Sequence, residues 1–283
     1  MSASSLQKAG GLEKLTDTVY GFIGHDGNPN HGFVVTERGV VVIDNDIRDI
    51  NQFMEALQKT TTQEIKFLIN THHAFDHASA NQIFAEKGAL IISSTRCREY
   101  LAEVGEKKFA EMRDRDENIR ELTAGLAVTL PDITFDRHLS LHLGSQNIEL
   151  IFVGHCHSPG DCIVYLPQER IVFVGDLLLY KNYPNMREGN IHNWIKALDF
   201  IYALPVETII PGHGGIIKDK EECIVVKEYF LKVKNMVEAE VRAGRRLEDI
   251  QRDFYLPECQ DWGKTKWLTV AIEKIYREEM NNG

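Results

Sequence analysis

Along the first three quarters of the chain, short β-rich apolar runs alternate with stretches whose apolar residues fall at helical spacing. GFVVT and GVVVID read as two strands joined by a turn at Glu37, Arg38 and Gly39. In INQFMEALQKT the apolar residues fall at helical spacing, and IKFLIN follows as a buried strand. NQIFAEKG then reads as a helix and ALIISS as the next strand, so β and α alternate to about Ser94.

From Cys97 to about Thr123, a segment containing EKKFAEMRDRDENIREL, the chain is highly charged and helical in tendency. The pattern favours a connector with a solvated face, the sharper alternative being a flap over an active site. ITF, LSLHL, IELIFVG, CIVYL and RIVFVGD form a second series of strands. NIHNWIKALDFIYAL is an amphipathic helix with Asn190 placed to cap it, and VETIIPGHGG ends the β-rich part. Beyond Lys218 the pattern is helical, interrupted near Pro257 and Gly263, and WLTVAIEKIYREEM carries apolar residues three and four apart. No solenoid-length repeat or low-complexity linker intervenes. Two β-series with helices between them predict an α/β fold, with sheets packed face to face and covered by helices. The expected division is a sandwich over residues 1–217 and a helical segment over 218–283 packed on the same domain.

Composition narrows the function classes. With 43% hydrophobic and 26% charged residues, the 283-residue chain has enough apolar content for a substantial core. A formal charge of −10 argues against a nucleic-acid partner and against docking on anionic membranes. The opening MSASSLQKAGGLEKL has no apolar centre, and no run approaches the roughly 20 apolar residues of a membrane helix. Cys97, Cys156, Cys162, Cys223 and Cys259 form no CxxC pair; they suit small buried positions in a reducing compartment, and a cytoplasmic location is expected.

Candidate chemistry gathers where apolar runs end. After IKFLIN come His72, His73, Asp76 and His77; after IELIFVG come His155 and His157. Asp176 follows RIVFVG, and His213 follows VETIIPG. Loops at strand ends are where scaffolds place function, and histidine with aspartate suits zinc or iron. Each signal alone has an ordinary reading: a turn, a helix cap, a solvated histidine. HHAFDH is the strongest of them, because burying so many polar groups together is costly unless something binds them.

Taken together, these residues resemble the metallo-β-lactamase superfamily. Its His-x-His-x-Asp-His motif reads here His72-His73-Ala74-Phe75-Asp76-His77. Further matches are His157 in HSPG, Asp176 in FVGDLL, His213 in PGHG, and Asn30 in the opening TVYGFIGHDGNPNHGFVVTERGVVVIDN. The likeness runs from about Val19 to Gly214. It implies an αββα sandwich with two metal positions at one edge. One would use His72, the residue at 74 and His157; the other Asp76, His77 and His213; Asp176 would bridge them. The implied cofactor is zinc, one or two ions, with iron or manganese as alternatives. The implied activity is hydrolysis of a small-molecule ester, thioester, lactone or amide by metal-activated water. Asp76 is then both a metal ligand and the catalytic residue that orients the nucleophile.

Ala74 breaks the pattern, since a methyl group has no lone pair. Only the complete position then holds metal tightly, or another donor replaces the missing one. If the strand continues through GHCHSPG, alternation puts His155 on the same side as His157, which makes His155 the first candidate; His73 and His31 follow. A third outcome is a mononuclear non-haem iron dioxygenase using His72, His157 and Asp176. A fourth is a catalytically inactive binding protein. The loops GHDGNPNHG and LLLYKNYPNMREGN are expected to shape the pocket. There Tyr180 and Lys181 are candidates to face the substrate, although a solvated lysine is the simpler expectation.

Overall fold

The strand Val40–Ile43 shows how the layers form. Val41 and Ile43 point to one side and pack against the other sheet, while Val40 and Val42 point to the opposite side and meet helices. In the computed structural model, which describes residues 10–282, the same alternation runs through two sheets.

The first sheet has the order β1 (Gly11–Lys14), β2 (Val19–Ile23), β3 (His31–Thr36), β4 (Gly39–Ile43), β5 (Ile65–Ile69), β6 (Leu90–Ser94), β7 (Ile133–Phe135). Pairing is antiparallel as far as β4 and parallel from β4 to β7. The second sheet comprises β8 (His138–Leu143), β9 (Gln146–Gly154), β10 (Asp161–Leu166), β11 (Ile171–Phe173) and β12 (Thr208–Ile210), in the order β12-β11-β10-β9-β8. Val34, Val41, Ile43 and Ile92 of the first sheet face Ile148, Leu150, Val164 and Phe173 of the second.

Helices cover both outer faces. On the first sheet lie α1 (Ile50–Thr60), α2 (Phe75–Ala78), α3 (Asn81–Ala85), α4 (Thr95–Arg115) and α5 (Glu117–Leu122), burying Phe53, Phe84, Phe109 and Ile119. On the second lie α6 (Ile191–Ala203), α7 (Glu222–Arg242), α8 (Leu247–Asp253) and α9 (Lys266–Asn282). Trp194, Phe230 and Ile272 from this group share one apolar cluster with Ile163 and Val172 of the sheet. The layers are therefore αββα. Truncating a ring such as Phe53, 1% exposed, costs about 3–5 kcal/mol through lost burial and the cavity left behind.

The pattern locates α1 at the residues expected, and Asn190 caps α6 by accepting from the Asn193 amide at 3.0 Å. The charged segment is more than a connector. One face of α4 buries Cys97, Leu101, Gly105 and Phe109, while another face presents Tyr100 and Lys108 to a central cavity. All five cysteines are buried and free. Among the described residues, no helix is long and apolar enough to cross a membrane.

Candidate metal centre

The loop after β5 carries most of the site, and amide side chains hold its shape. Asn70 Nδ2 donates to the His77 carbonyl and to Asn81 Oδ1, both at 3.0 Å, and Asn81 Nδ2 returns a bond to Asn70 Oδ1. Asn45 adds a bond to Asn81 and accepts from the Ala80 amide. These contacts fix the turn that presents His72, Asp76 and His77.

Asp44, at the end of β4, supports that loop from behind. Its backbone is left-handed, φ 56°, an unfavourable conformation for aspartate that the surrounding contacts enforce. The carboxylate accepts from the Thr71 amide and hydroxyl, each at 2.7 Å, and meets His77 Nδ1 at 2.9 Å.

The other imidazoles are anchored by the same principle. His72 Nδ1 lies 3.1 Å from Thr71 Oγ1, whose hydrogen is already given to Asp44, so the hydroxyl oxygen accepts from the ring. His157 Nδ1 donates to the Asn185 carbonyl at 3.2 Å, and His213 Nδ1 to the Gly27 carbonyl at 3.0 Å. With Nδ1 committed in all four rings, Nε2 is the atom left to face a ligand, which is how metal-binding histidines are oriented.

Three of these atoms converge on Asp176. His77 Nε2 is 3.2 Å from Oδ1, His213 Nε2 3.5 Å from Oδ1, and His157 Nε2 3.6 Å from Oδ2. His72 packs beside them, its ring centre 4.2 Å from that of His77 and 5.0 Å from that of His157. Asp76 Oδ2 stands 3.5 Å from His213 Nε2. Glycines permit the approach: Gly175 has φ 52°, and a Cβ there would lie 2.5 Å from Thr71 Oγ1. A Cβ on Gly212 would collide with Asp176 Oδ1.

All six residues expected as metal ligands thus meet at one edge of the sandwich; one group is the expected Asp76, His77 and His213, while His72 groups with His77 and Asp176. Mutual donor distances within 4.8 Å define two triads, His72–His77–Asp176 and Asp76–His77–His213. His77 is common to both, and His157 joins through Asp176. The buried Nε2 atoms of His72 and His77 and Oδ1 of Asp176 have no hydrogen-bond partner, the His77–Asp176 approach being close but misaligned. Orphaned buried donors of this kind fit a metal cation.

The electrostatics agree. Burial, reinforced by His77, holds the His72 pKa well below its ordinary value, leaving a neutral ring with a lone pair. Burial works against charge on His77, yet Asp44 and Asp176 outweigh it and raise its pKa well above the ordinary value. Asp76 and Asp176 stay ionised, because His213 and His77 overcome the burial that opposes their charge. Three carboxylates crowd one imidazole and favour positive charge among them; a proton on His77 supplies some, and a metal ion would supply more.

Of the proposed replacements for position 74, His155 and His73 hydrogen-bond elsewhere, whereas both ring nitrogens of His31 are buried without a partner. His155 is exposed and faces the Glu188 carbonyl at 2.5 Å. β9 ends at Gly154, where φ is 106°, so the alternation that would have aligned His155 with His157 stops one residue too early. His73 is buried against Lys108 Nζ at 2.9 Å and Glu188 Oε2 at 3.3 Å. His31 is enclosed between Phe22 and Phe53, where burial lowers its pKa to about 3. Lys181 pairs with Asp261 at the surface, and neither it nor Tyr180 lines the cavity. Of the two expected pocket loops, the second lines the cavity through Leu179, Asn185, Arg187 and Glu188. The first contributes the Gly27 carbonyl behind His213.

Sequence reasoning missed Asp44, Arg48 and Lys264. Asp44 ends an apolar strand just as Asp176 does, and that signal could have found it. Arg48 pairs with Asp46 and reaches to 4.0 Å from Asp76 Oδ2. Lys264 joins the cavity lining from the C-terminal segment. The cavity is about 630 Å³ and has Ala74, Asp76 and His157 on its wall.

Paired sheets between helices, with imidazoles and carboxylates clustered at one edge, define a metallo-hydrolase type of fold. The chain belongs to the metallo-beta-lactamase superfamily, whose sequence profile matches residues 24–213. It is 21% identical over 207 residues to a metallo-beta-lactamase type 2 of Bacillus cereus, covering 70% of this chain and 72% of that protein. A beta-lactamase-like protein 2 homolog of Caenorhabditis elegans is 22% identical over 215 residues, covering 73% and 64%. Among solved structures, a metallo-beta-lactamase from Pontibacter korlensis superposes with a TM-score of 0.63 at 20% identity, over 78% of this chain and 99% of that one. The sec-alkylsulfatase Pisa1 from Pseudomonas sp. gives 0.71 at 15% identity, over 95% of this chain and 50% of that one. At these identities the structural likeness concerns the fold.

Proposed function

We propose that this protein is a metal-dependent hydrolase acting on a small ester, thioester, lactone or amide, with zinc as its metal. The observation that carries this reading is the orientation of four histidines. Each Nδ1 is tied to its own acceptor, and each Nε2 is left for the space around Asp176. Asp76, His77, His213 and Asp176 would hold one ion, with His72 and His157 alongside. A zinc ion bound there lowers the pKa of water toward neutrality and polarises a carbonyl.

The chain's own groups supply the rest. Asp76, 31% exposed at its side chain, is the ionised carboxylate that reaches the cavity and can orient a nucleophilic water or take its proton. Arg48, held by Asp46, limits the orientations open to Asp76. Asp44 keeps the His77 ring in place. His77 adds a third imidazole to the His72, His157 and Asp176 set, which favours zinc coordination over a two-histidine, one-carboxylate iron centre.

Metal analysis of freshly purified protein, combined with ester hydrolysis before and after chelation, tests the proposal. About one zinc per chain is expected, with turnover lost to the chelator and restored by zinc. Iron with oxygen consumption would replace the reading by an oxygenase. Failure to retain any metal under replete conditions would replace it by a binding protein.

A further inference from the structure

The protein is acidic overall, yet its cavity is not. Seven lysine and arginine side chains line it against four carboxylates, and two of those four, Asp76 and Asp176, belong to the metal centre. Some of the cations are already matched: Arg48 by Asp46, Lys108 by Glu188, and Arg115 by Glu111 at 3.6 Å. Among the described residues, Lys107, Arg187, Lys264 and Lys266 form no ion pair, and all but Lys107 lie close to Trp267 in sequence or space.

Arg187 and Lys266 lie over one aromatic ring, that of Trp267, whose backbone amide donates to the Lys264 carbonyl at 2.9 Å. The Arg187 guanidinium lies 5.2 Å from the Trp267 ring centre, and Lys266 Nζ 4.6 Å from it. Lys264 is half-buried on the same short segment, with a left-handed backbone, φ 55°. Main-chain bonds hold it there: Gly263 N donates to the Lys181 carbonyl at 2.8 Å, and Tyr183 N to the Gly263 carbonyl at 3.1 Å. A strained, half-buried lysine with no carboxylate partner needs a reason, and such conformations cluster at ligand sites. Burial lowers its pKa, while Asp176 and Asp76 pull the other way. The segment lies beyond the superfamily match, which ends at residue 213.

We infer that Lys264, Arg187 and Lys266 form an anion-binding subsite, so that the substrate carries a carboxylate, phosphate or sulfate group apart from the bond that is cleaved. The cleaved bond rests on the hydrolase reading; the anion subsite does not. Lysine and arginine together recognise such groups by charge-assisted hydrogen bonds, and Trp267 offers the adjoining apolar part of the substrate a surface.

Two measurements on metal-loaded protein test this. In the first, glutarate, inorganic phosphate and sulfate are each titrated calorimetrically, with dimethyl glutarate as the neutral control. At least one anion should bind in preference to the control, and the strongest identifies the group recognised. Lys264→Asn, a residue that tolerates the left-handed backbone, should weaken that binding about tenfold or more with metal content unchanged, and Lys264→Arg should restore most of it. Arg187→Gln, on a separate segment, should weaken it in the same direction. Equal anion binding by wild type and both charge-removing variants, or no anion binding at all, overturns the inference. In the second, the 4-nitrophenyl monoester of glutarate is compared with 4-nitrophenyl acetate. The ratio of kcat/KM for the charged over the neutral ester should fall about tenfold in Lys264→Asn, mainly through KM. An unchanged ratio counts against the subsite. Turnover of neither ester removes the hydrolase reading, and the titration still decides the subsite.

Discussion

Around Asp76, His77 and His213 the site is supported from behind: Asp44 holds one ring, the Gly27 carbonyl another, and Arg48 stands beside the carboxylate. Around Ala74 the cavity wall has a methyl group, which offers no lone pair. The polar groups nearest it in sequence and space, His73, Lys108 and Glu188, bond to one another. The two halves differ in what their contacts serve. In the first, outer residues aim donor atoms inward; in the second, His73 Nε2, Lys108 and Glu188 engage one another, and His73 Nδ1 stays without a partner. A metal site therefore depends on the residues that keep donors available as much as on the donors themselves.

Removing the shared carboxylate should abolish this distinction. Asp176 is approached by His77, His157 and His213, so Asp176→Ala disconnects both halves. A supporting residue alone typically contributes about 10–100-fold in metal affinity or activity, so this variant should lose at least about 100-fold in turnover, with metal content falling in parallel. Full metal retention by elemental analysis would contradict the placement of Asp176 at the centre. Asp44→Ala acts on the supported half directly and on His72 through Thr71. Loss of its contacts to Thr71 and His77 should weaken zinc about 10–100-fold, measured by competition with a chromogenic chelator, while the fold persists.

Ala74→His would make the halves alike. The residue is half-buried, with φ −59° and ψ 148°, a backbone open to histidine. The variant should raise bound zinc from about one to about two ions per chain. Unchanged stoichiometry would mean that His73, Lys108 and Glu188 close that position to metal whatever stands at 74.

Acidity separates the metal-loaded from the metal-free protein by a smaller margin. The pKa of His77 is raised on folding, so its contribution to metal-free stability is complete below about pH 6.5 and disappears as pH rises through the raised value. Asp76 and Asp176 are lowered, so theirs is present above about pH 4 and disappears on acidification. If zinc takes His77 as a ligand, it must displace the proton on that ring, so it stabilises more as pH rises. The gap in Tm between loaded and chelated protein should widen from about pH 6 to pH 9. A gap independent of pH would mean that His77 is not a ligand.

Much of the architecture is readable in the chain because burial imposes periodicity. The apolar spacing of α1 and the unbroken apolar run of β4, buried on both faces, are direct images of the surfaces they cover. The six converging residues are legible for a related reason: each follows an apolar run, and burying imidazoles with carboxylates is too costly to be incidental. Asp44 is harder to read, since a lone aspartate after a strand has the look of a turn residue. Lys264 is harder still. Its place depends on tertiary pairing of Gly263 with Lys181 and Tyr183, which no local pattern encodes.

His155 gives the smallest expected effect and bears on the same comparison. Strand alternation is a rule about extended backbone, and it aligns His155 with His157 only while that backbone continues. The positive φ of Gly154 ends it, turning His155 out to solvent against the Glu188 carbonyl while His157 turns in toward Asp176. His155→Ala should therefore leave zinc content unchanged and alter turnover by less than about twofold, as for a surface substitution outside the site. A marked loss of metal would mean that this ring swings inward to serve the half lacking a ligand, and the contrast drawn between the halves would then fail.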